Sequence, residues 1–421
     1  MSVLWWTEIP CMWILSPLLV ALPGAFQQIS ELVSEHQPQI SILEYALMER
    51  WKKEIFRILV KVEERVDLFK YRLRERVGGR DAIMILPYLG YGTADNLYLK
   101  GRVLEDRGIT SAEAHHSIWD NLINTYKRFG SNEIPYAKLA ARFQNVDQQV
   151  IADEEGFFEV WIHPTKPLPE DRIWHQIELD LLEPQRVGYP PVRTQGKVLV
   201  PPPSAQFGVI SDIDDTVLYT ETANWLRMAG NIFLSNARTR LPFRGVSEFY
   251  QRLRRGSHGN QNNPIFYVSS SPWNIYDLLS DFFQLQEIPY GPMLFLRDWG
   301  LNEDELLPTN HRLHKLRTIR NLLDVFKELS FILIGDSGQE DPEIYVEVVK
   351  EYPGRILGVY IRDVSKDVER VQAIEQMARE VAAVGCSLIL AEETSQMAQH
   401  AVSQQWISPE ASLEIPADKV A

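Results

Sequence analysis

The stretch Phe207-Gly-Val-Ile-Ser-Asp212-Ile-Asp214-Asp215-Thr216-Val217 sets three carboxylates within four residues at the end of an apolar run. The run reads as a buried strand. Carboxylates resist burial beside one another unless a counter-charge is supplied. A hard divalent cation such as Mg²⁺ prefers carboxylate and carbonyl oxygens and is the simplest such counter-charge. The spacing Asp212-x-Asp214-x-Thr216 at the C-terminal end of a strand therefore points to a metal-assisted site on an α/β sheet, at the sheet edge where such folds bind ligands.

Three further signals follow in the same half of the chain. Ser269 directly follows the apolar run Ile265–Val268, Lys315 lies early in a helical stretch, and Gly335-Asp336-Ser-Gly-Gln-Glu-Asp341 follows Phe331–Ile334. A parallel sheet aligns its strand C-termini along one edge, so these groups can converge. Phosphoryl transfer accounts for the set. A carboxylate is a poor nucleophile toward an anionic phosphate until a metal ion removes the repulsion and fixes an in-line approach. Asp212 is then the nucleophile that forms an aspartyl-phosphate, and Asp214 the acid and base. Asp212, Asp214, Asp336 and Asp341 are the metal group. Lys315, the Ser269 hydroxyl, Thr216 and a backbone N–H near Ser270 are the phosphoryl-binding groups. A helix after Pro272 adds the positive end of its dipole.

Each residue also has a structural reading. Asp341 before Pro342 makes a good helix N-cap, with Pro at the first position. Ser271 before Pro272 reads as another N-cap. Lys315 alone would be a surface lysine, Asp336 and Asp215 turn residues, and the Thr216 hydroxyl a partner within the turn. Read one by one these suffice; occurring together in this order, they do not.

The elements that must position these groups alternate from Ala205 onward. Strands are expected at Phe207–Ser211, Ile265–Val268, Met293–Leu296, Phe331–Ile334, Ile356–Ile361 and Ser387–Leu390. Helices are expected at Val246–Leu253, Trp273–Gln284, His314–Phe326, Pro342–Tyr352 and Val368–Ala383. That alternation is the mark of an α/β, doubly wound parallel sheet over residues 204–400, with a tail at 401–421. Residues 81–200 read as a smaller β-rich, sandwich-like domain, with strands at Ile83–Tyr88, Leu97–Leu104, Phe157–Ile162 and Ile173–Leu182. Gly90-Tyr-Gly92 reads as a turn between them, and residues 115–129 as a helical insertion. Pro190–Pro203 reads as a linker with one short strand at Lys197–Val200. Residues 39–80 read as an N-terminal amphipathic helical segment with a basic, interleaved-acidic face, and residues 1–38 as a leader. In that leader no Lys or Arg precedes the apolar run Ile14–Leu22, so it lacks the basic start of a signal peptide.

Composition narrows the partners. A formal net charge of −14 over 421 residues argues against a nucleic-acid-binding body. Cys11 and Cys386 are the only cysteines, which excludes a disulfide framework and fits a reducing, cytoplasmic setting.

The four signals in their order resemble the motif pattern of the haloacid dehalogenase (HAD) superfamily of phosphatases. The wording Ser211–Val217, Tyr267–Trp273, His314-Lys315 and Ile334–Gln339 is similar to the actin-patch phosphatidate phosphatase family, formerly a domain of unknown function. Tyr88–Thr93 and Gly101–Leu104 extend the likeness to its bacterial-type members over residues 82–400. The resemblance implies an HAD-like fold and a Mg²⁺-dependent phosphatase that converts phosphatidate to diacylglycerol. It also implies that Asp214 gives its backbone carbonyl to the metal while its side chain handles the proton.

The stretch Leu218–Arg244 between the first two motifs mixes Trp225, Leu226, Met228 and Phe233 with Arg227, Arg238, Arg240 and Arg244. Such an apolar and cationic flap suits a lipid phosphate, and equally suits simple packing. Two other readings stay open: a phosphatase for a soluble metabolite or phosphoprotein, and a membrane-binding or interaction protein with secondary catalysis. The expected place is cytoplasmic, with a peripheral membrane contact left open.

Overall fold

The structure, a computed structural model, describes residues 82–106, 133–170, 172–217, 243, 245–273, 276–297, 309–365 and 367–409. The leader, the helical segment 39–80, the insertion 115–129 and nearly all of the flap Leu218–Arg244 lie outside the described residues.

Two sheets organise the chain. The first has eight strands: β1 (Ala82–Pro87), β2 (Gly90–Thr93), β3 (Asn96–Asp106), β4 (Lys138–Phe143), β5 (Val146–Ile151), β6 (Phe157–Ile162), β7 (Trp174–Glu183) and β8 (Arg193–Leu199). They pair in the order β1-β3-β2-β8-β7-β4-β5, with β6 on the other side of β3. The sheet curls until β5 and β6, its two ends, come into contact. Alternation of buried and exposed residues along β6 and β7 is the expected signature of strands with one face in a core. That core gathers Leu97, Leu99, Val103, Leu139, Val160, Ile177, Leu179 and Val198.

Three features of this sheet depart from the sequence reading. Gly90-Tyr-Gly92 is strand β2 rather than a turn. A Cβ at Gly90 would overlap the Tyr98 carbonyl oxygen, so the glycine serves a close strand approach. The expected linker Pro190–Pro203 contains β8, which runs antiparallel to β7 and parallel to β2 inside the sheet. The hairpin β4–β5 went unseen because Val146–Ile151 is largely exposed and polar, so it lacks an apolar alternation.

The second sheet is β9 (Phe207–Asp212), β10 (Ile265–Pro272), β11 (Met293–Arg297), β12 (Ser330–Asp336), β13 (Ile356–Arg362) and β14 (Ser387–Ala391). All five pairings are parallel, in the order β11-β10-β9-β12-β13-β14. Every residue of β9 is buried, as a central parallel strand covered on both faces requires. Helices α1 (Val246–Arg255), α2 (Tyr276–Leu285) and α6 (Thr394–Ser403) pack with Val209, Tyr267, Ile332 and Tyr360 on one face. Helices α3 (Thr309–Val325), α4 (Asp341–Glu351) and α5 (Val368–Ala382) pack with Ile210, Phe266, Leu333 and Val359 on the other. The chain steps outward from β9 to β11, then returns to the far side of β9 at β12. Strand order thus reverses between β9 and β12, which opens a crevice at their C-terminal ends.

Helix α2 starts at Tyr276, and β10 continues through Ser271 and Pro272. Ser271 is therefore a strand residue and not the N-cap expected of it. Helix α6 was not foreseen; it carries a capping box between Glu393 and Gln396. It runs to Ser403, and Ile407 beyond it is buried. Among the described residues, no helix is long and apolar enough to cross a membrane.

Replacing Gly90 by Val should force β2 away from β3 and lower stability by about 1–3 kcal/mol. A urea denaturation midpoint equal to that of the parent chain would contradict the close-approach account.

Candidate active site

The reversal of strand order puts Asp212 and Asp336 at the ends of adjacent strands. Asp212 pairs in register with Val268 of β10, so Ser269 lies one residue beyond it on the neighbouring strand. Ser211 pairs with Ile334, so Asp336 projects two residues farther along β12. Lys315 on α3 and Asp341 at the start of α4 complete the group. Asp212, Lys315, Asp336 and Asp341 are all buried.

Lys315 Nζ donates to Asp212 Oδ1 at 2.8 Å and to Asp341 Oδ1. The Asp336 backbone N–H donates to Asp341 Oδ2 at 3.3 Å. Asp341 is thus occupied within the site. The N-cap position of α4 belongs to Glu340, not to Asp341. Asp336 Oδ1 accepts the N–H groups of Gly338 and Gln339 at 2.7 and 3.0 Å. The Ser269 hydroxyl donates to Asp214 Oδ2 at 3.1 Å. Ser270 lies on β10 next to Ser269. Thr216 is buried, yet its hydroxyl finds no hydrogen-bond partner among the described residues, contrary to the turn contact expected of it. Asp215 adopts a left-handed turn conformation, φ 52°.

Several supporting residues escaped the sequence reading. Arg362, at the end of β13, donates from Nε to the Thr216 carbonyl at 3.2 Å and from Nη2 to Thr394 Oγ1 at 3.0 Å. Burial draws its guanidinium down to about 10. The Tyr250 hydroxyl lies 2.7 Å from Ser211 Oγ, beside the Asp212 carbonyl that Ser211 contacts at the same distance. Tyr345 on α4 donates to the Ile334 carbonyl at 3.0 Å and fastens that helix to β12. A Cβ at Gly335 would come within 2.8 Å of Asp341 Cγ, so only glycine lets α4 bring Asp341 against β12. An arginine closing an apolar strand was the one visible hint among these residues.

Charge does not balance here. Burial raises Asp212 well above the usual carboxylate range. Lys315 opposes that shift, whereas Asp341, Asp336 and Asp214 add to it. Burial, then repulsion from Asp341, pushes Asp336 up to about 7. Burial works against the Lys315 ammonium, but Asp212 and Asp341 outweigh it and hold the lysine above its ordinary value.

One atom from each of Asp212, Asp336 and Asp341 lies within 4.8 Å of the others. Asp212 Oδ2 and Asp336 Oδ2 are buried with no hydrogen-bond partner among the described residues. An all-oxygen donor set with excess negative charge and orphaned carboxylate oxygens fits a hard divalent cation.

Known proteins match this same region. Residues 207–363 match the model of the phosphatidate phosphatase APP1 catalytic domain. This segment is similar to that catalytic-domain family. Phosphatidate phosphatase APP1 of Saccharomyces cerevisiae is 33% identical over 170 residues, which are 40% of this chain and 28% of the yeast protein. The uncharacterized protein C29B5.04c of Schizosaccharomyces pombe is 35% identical over 162 residues, 38% of this chain and 25% of that one. The chain thus spans about a quarter of the length of these curated relatives. Among solved structures, a carbohydrate acetylesterase from Xanthomonas citri aligns over 70% of this chain and 73% of its own, at 12% identity and a TM-score of 0.23. A likeness that slight carries no argument.

With its folded pKa raised, Asp336 binds more protons in the folded than in the unfolded chain between about pH 4 and pH 7. Its contribution to stability is therefore lost as pH rises through that window when no cation is present. Melting temperatures in EDTA and in Mg²⁺ should differ more at about pH 8 than at about pH 5, because the cation competes with the proton. An equal difference at both values would contradict the charge account.

Proposed function

We propose that the chain is a Mg²⁺-dependent phosphatidate phosphatase that works through an aspartyl-phosphate on Asp212. The observation that carries the reading is the state of that carboxylate. Lys315 holds Oδ1, and Oδ2 has no hydrogen-bond partner among the described residues, at the end of the strand where the order reverses and within the segment that matches the APP1 catalytic-domain family. An oxygen so fixed has a directed lone pair, which an in-line displacement needs.

In the first step Asp212 attacks phosphorus. The new Asp212 O–P bond forms as the ester O–P bond breaks, and Asp214 gives its proton to the departing alcohol oxygen. In the second step Asp214 takes a proton from water, the water oxygen bonds to phosphorus, and the Asp212 O–P bond breaks to release phosphate. Ser269 orients Asp214 through its 3.1 Å hydrogen bond. The Lys315 ammonium offsets charge on the phosphoryl oxygens as well as on Asp212. Thr216, whose hydroxyl is unengaged among the described residues, and the Ser270 backbone complete the phosphoryl cradle. A divalent cation held by Asp212, Asp336, Asp341 and the Asp214 carbonyl would supply positive charge between two groups that otherwise repel.

The finer fold and substrate assignments belong to the same proposal. Residues 204–400 form an HAD-like, doubly wound catalytic domain, and residues 81–200 a β-rich accessory domain. Support comes from the parallel order β11-β10-β9-β12-β13-β14 and the helices on both faces. The lipid substrate is supported by the family match and by the mixed apolar and basic sequence of the flap at residues 218–244. A cytoplasmic place, peripheral to a membrane, fits the cysteine count and the substrate. The acidic net charge supports a partner list without nucleic acid.

Asp212→Asn should reduce phosphate release from micellar phosphatidate by at least ~10³-fold. It should not lower the melting temperature, since it removes one charge from a crowded acidic cluster. Turnover near that of the parent chain would reject the mechanism. Wild-type turnover of soluble phosphomonoesters alone would keep the chemistry and reject the lipid.

A further inference from the structure

The β-rich sheet places a charged side chain beside Trp273, the residue that follows β10. Along β3, Leu97, Leu99 and Val103 face the core of the first sheet. The alternate residues Tyr98, Lys100 and Arg102 lie on the opposite face, where Tyr98 packs with the α/β core. Lys100 Nζ lies 5.0 Å from the ring centroid of Phe157 and 5.2 Å from that of Trp273. Trp273 directly follows β10, the strand that carries Ser269 and Ser270. It is clasped to the β-rich sheet: Tyr88 stacks on it at 4.3 Å with planes 22° apart, and the Leu89 N–H donates to the Tyr276 hydroxyl at 2.9 Å.

A second active-site segment also feels this lysine. His314 precedes Lys315 in the chain, and Lys100 is among the cations that add to the effect of burial in holding its imidazole down to about 4. Lys100 therefore stands against the end of the strand that carries Ser269 and within electrostatic range of the helix that presents Lys315.

Local contacts only roughly offset the cost of holding a lysine here. Ordering its side chain costs about 1.5–2 kcal/mol. The return is a cation–π contact worth about 0.5–2 kcal/mol and a cross-strand pair worth about 0.2–1 kcal/mol. That pair is with Glu159, its register partner on β6, at 3.1 Å, and the Glu159 side chain is 52% exposed. Glu159 is its one ion-pair partner among the described residues. A phosphomonoester dianion approaching Asp212, Asp214, Asp336 and Asp341 needs positive charge at the entrance, and inside the cluster Lys315 is already shared between two carboxylates.

We propose that Lys100 is a substrate-binding residue of the site, which exchanges Glu159 for the phosphoryl oxygens of an incoming phosphate monoester. The inference rests on the phosphatase reading, and the β-rich sheet thereby supplies part of the binding site. The ligand chemistry is a phosphate dianion, whether on a lipid headgroup or free.

The test uses the full chain with Lys100→Gln, Lys100→Arg and Glu159→Gln. Readouts are steady-state kinetics on a soluble aryl phosphate and on micellar phosphatidate, inhibition by inorganic phosphate, and melting temperature. Lys100→Gln should raise KM and the phosphate inhibition constant about tenfold, with kcat held within about twofold. Lys100→Arg should restore most of the loss, and Glu159→Gln should tighten phosphate binding by freeing the ammonium. Unchanged KM and inhibition constant in Lys100→Gln would overturn the proposal, as would a fall in kcat and melting temperature with KM unmoved. If the parent chain hydrolyses only the aryl ester, the lipid assignment fails and the Lys100 comparison still decides. If it hydrolyses neither, calorimetric titration of inorganic phosphate into parent and Lys100→Gln chains decides: equal affinities overturn the proposal, and weaker binding to the variant upholds it.

Discussion

The structure turns on one uneven arrangement: a single buried ammonium, Lys315, shared between Asp212 and Asp341 with Asp336 alongside. Three carboxylates and one lysine in a dry crevice cost more to bury than they return to one another. A chain that carries such a cluster must either protonate it or bring a cation to it. The raised positions of Asp212 and Asp336 express the first outcome, and their oxygens without a partner among the described residues prepare the second.

Much of the surrounding fold keeps this arrangement rigid. Reversal of strand order between β9 and β12 opens the crevice, and β9 can end there because both its faces are already covered. Gly335 admits Asp341 against β12, and Tyr345 pins the helix that carries it. The loop after Asp336 is held from outside: Arg370 Nε donates to the Ser337 carbonyl at 2.9 Å, and the same guanidinium pairs with Glu343. The β-rich sheet is part of this support. Tyr88 and Phe157 belong to one α/β core, and Tyr91 and Leu199 to the other, so the two sheets share buried apolar surface rather than meeting at a solvated seam.

The sequence made the α/β half legible because its strands are continuous apolar runs that end in chemically odd residues. Asp212, Ser269 and Asp336 could be found that way. Asp341 and Lys315 were harder, since each has an ordinary reading as a helix cap or a surface lysine; only their meeting at one carboxylate cluster separates the two. Tertiary contacts account for what was not legible. Gly90 and Gly92 have turn composition but serve a close strand pairing, β5 has too little apolar alternation to announce itself, and Ser271-Pro272 mimics a helix start while extending a strand. Arg362 and Tyr250 act through hydrogen bonds to groups far away in sequence, partners that no local pattern names.

The most direct measurement is chemical trapping of the covalent intermediate. The enzyme is mixed with substrate and Mg²⁺, quenched in acid, reduced with borohydride to convert any acyl phosphate into an alcohol, and mapped by mass spectrometry. The account predicts a reduced side chain at position 212 that depends on substrate. Turnover with no modified carboxylate, or modification at Asp336 in place of Asp212, would contradict it.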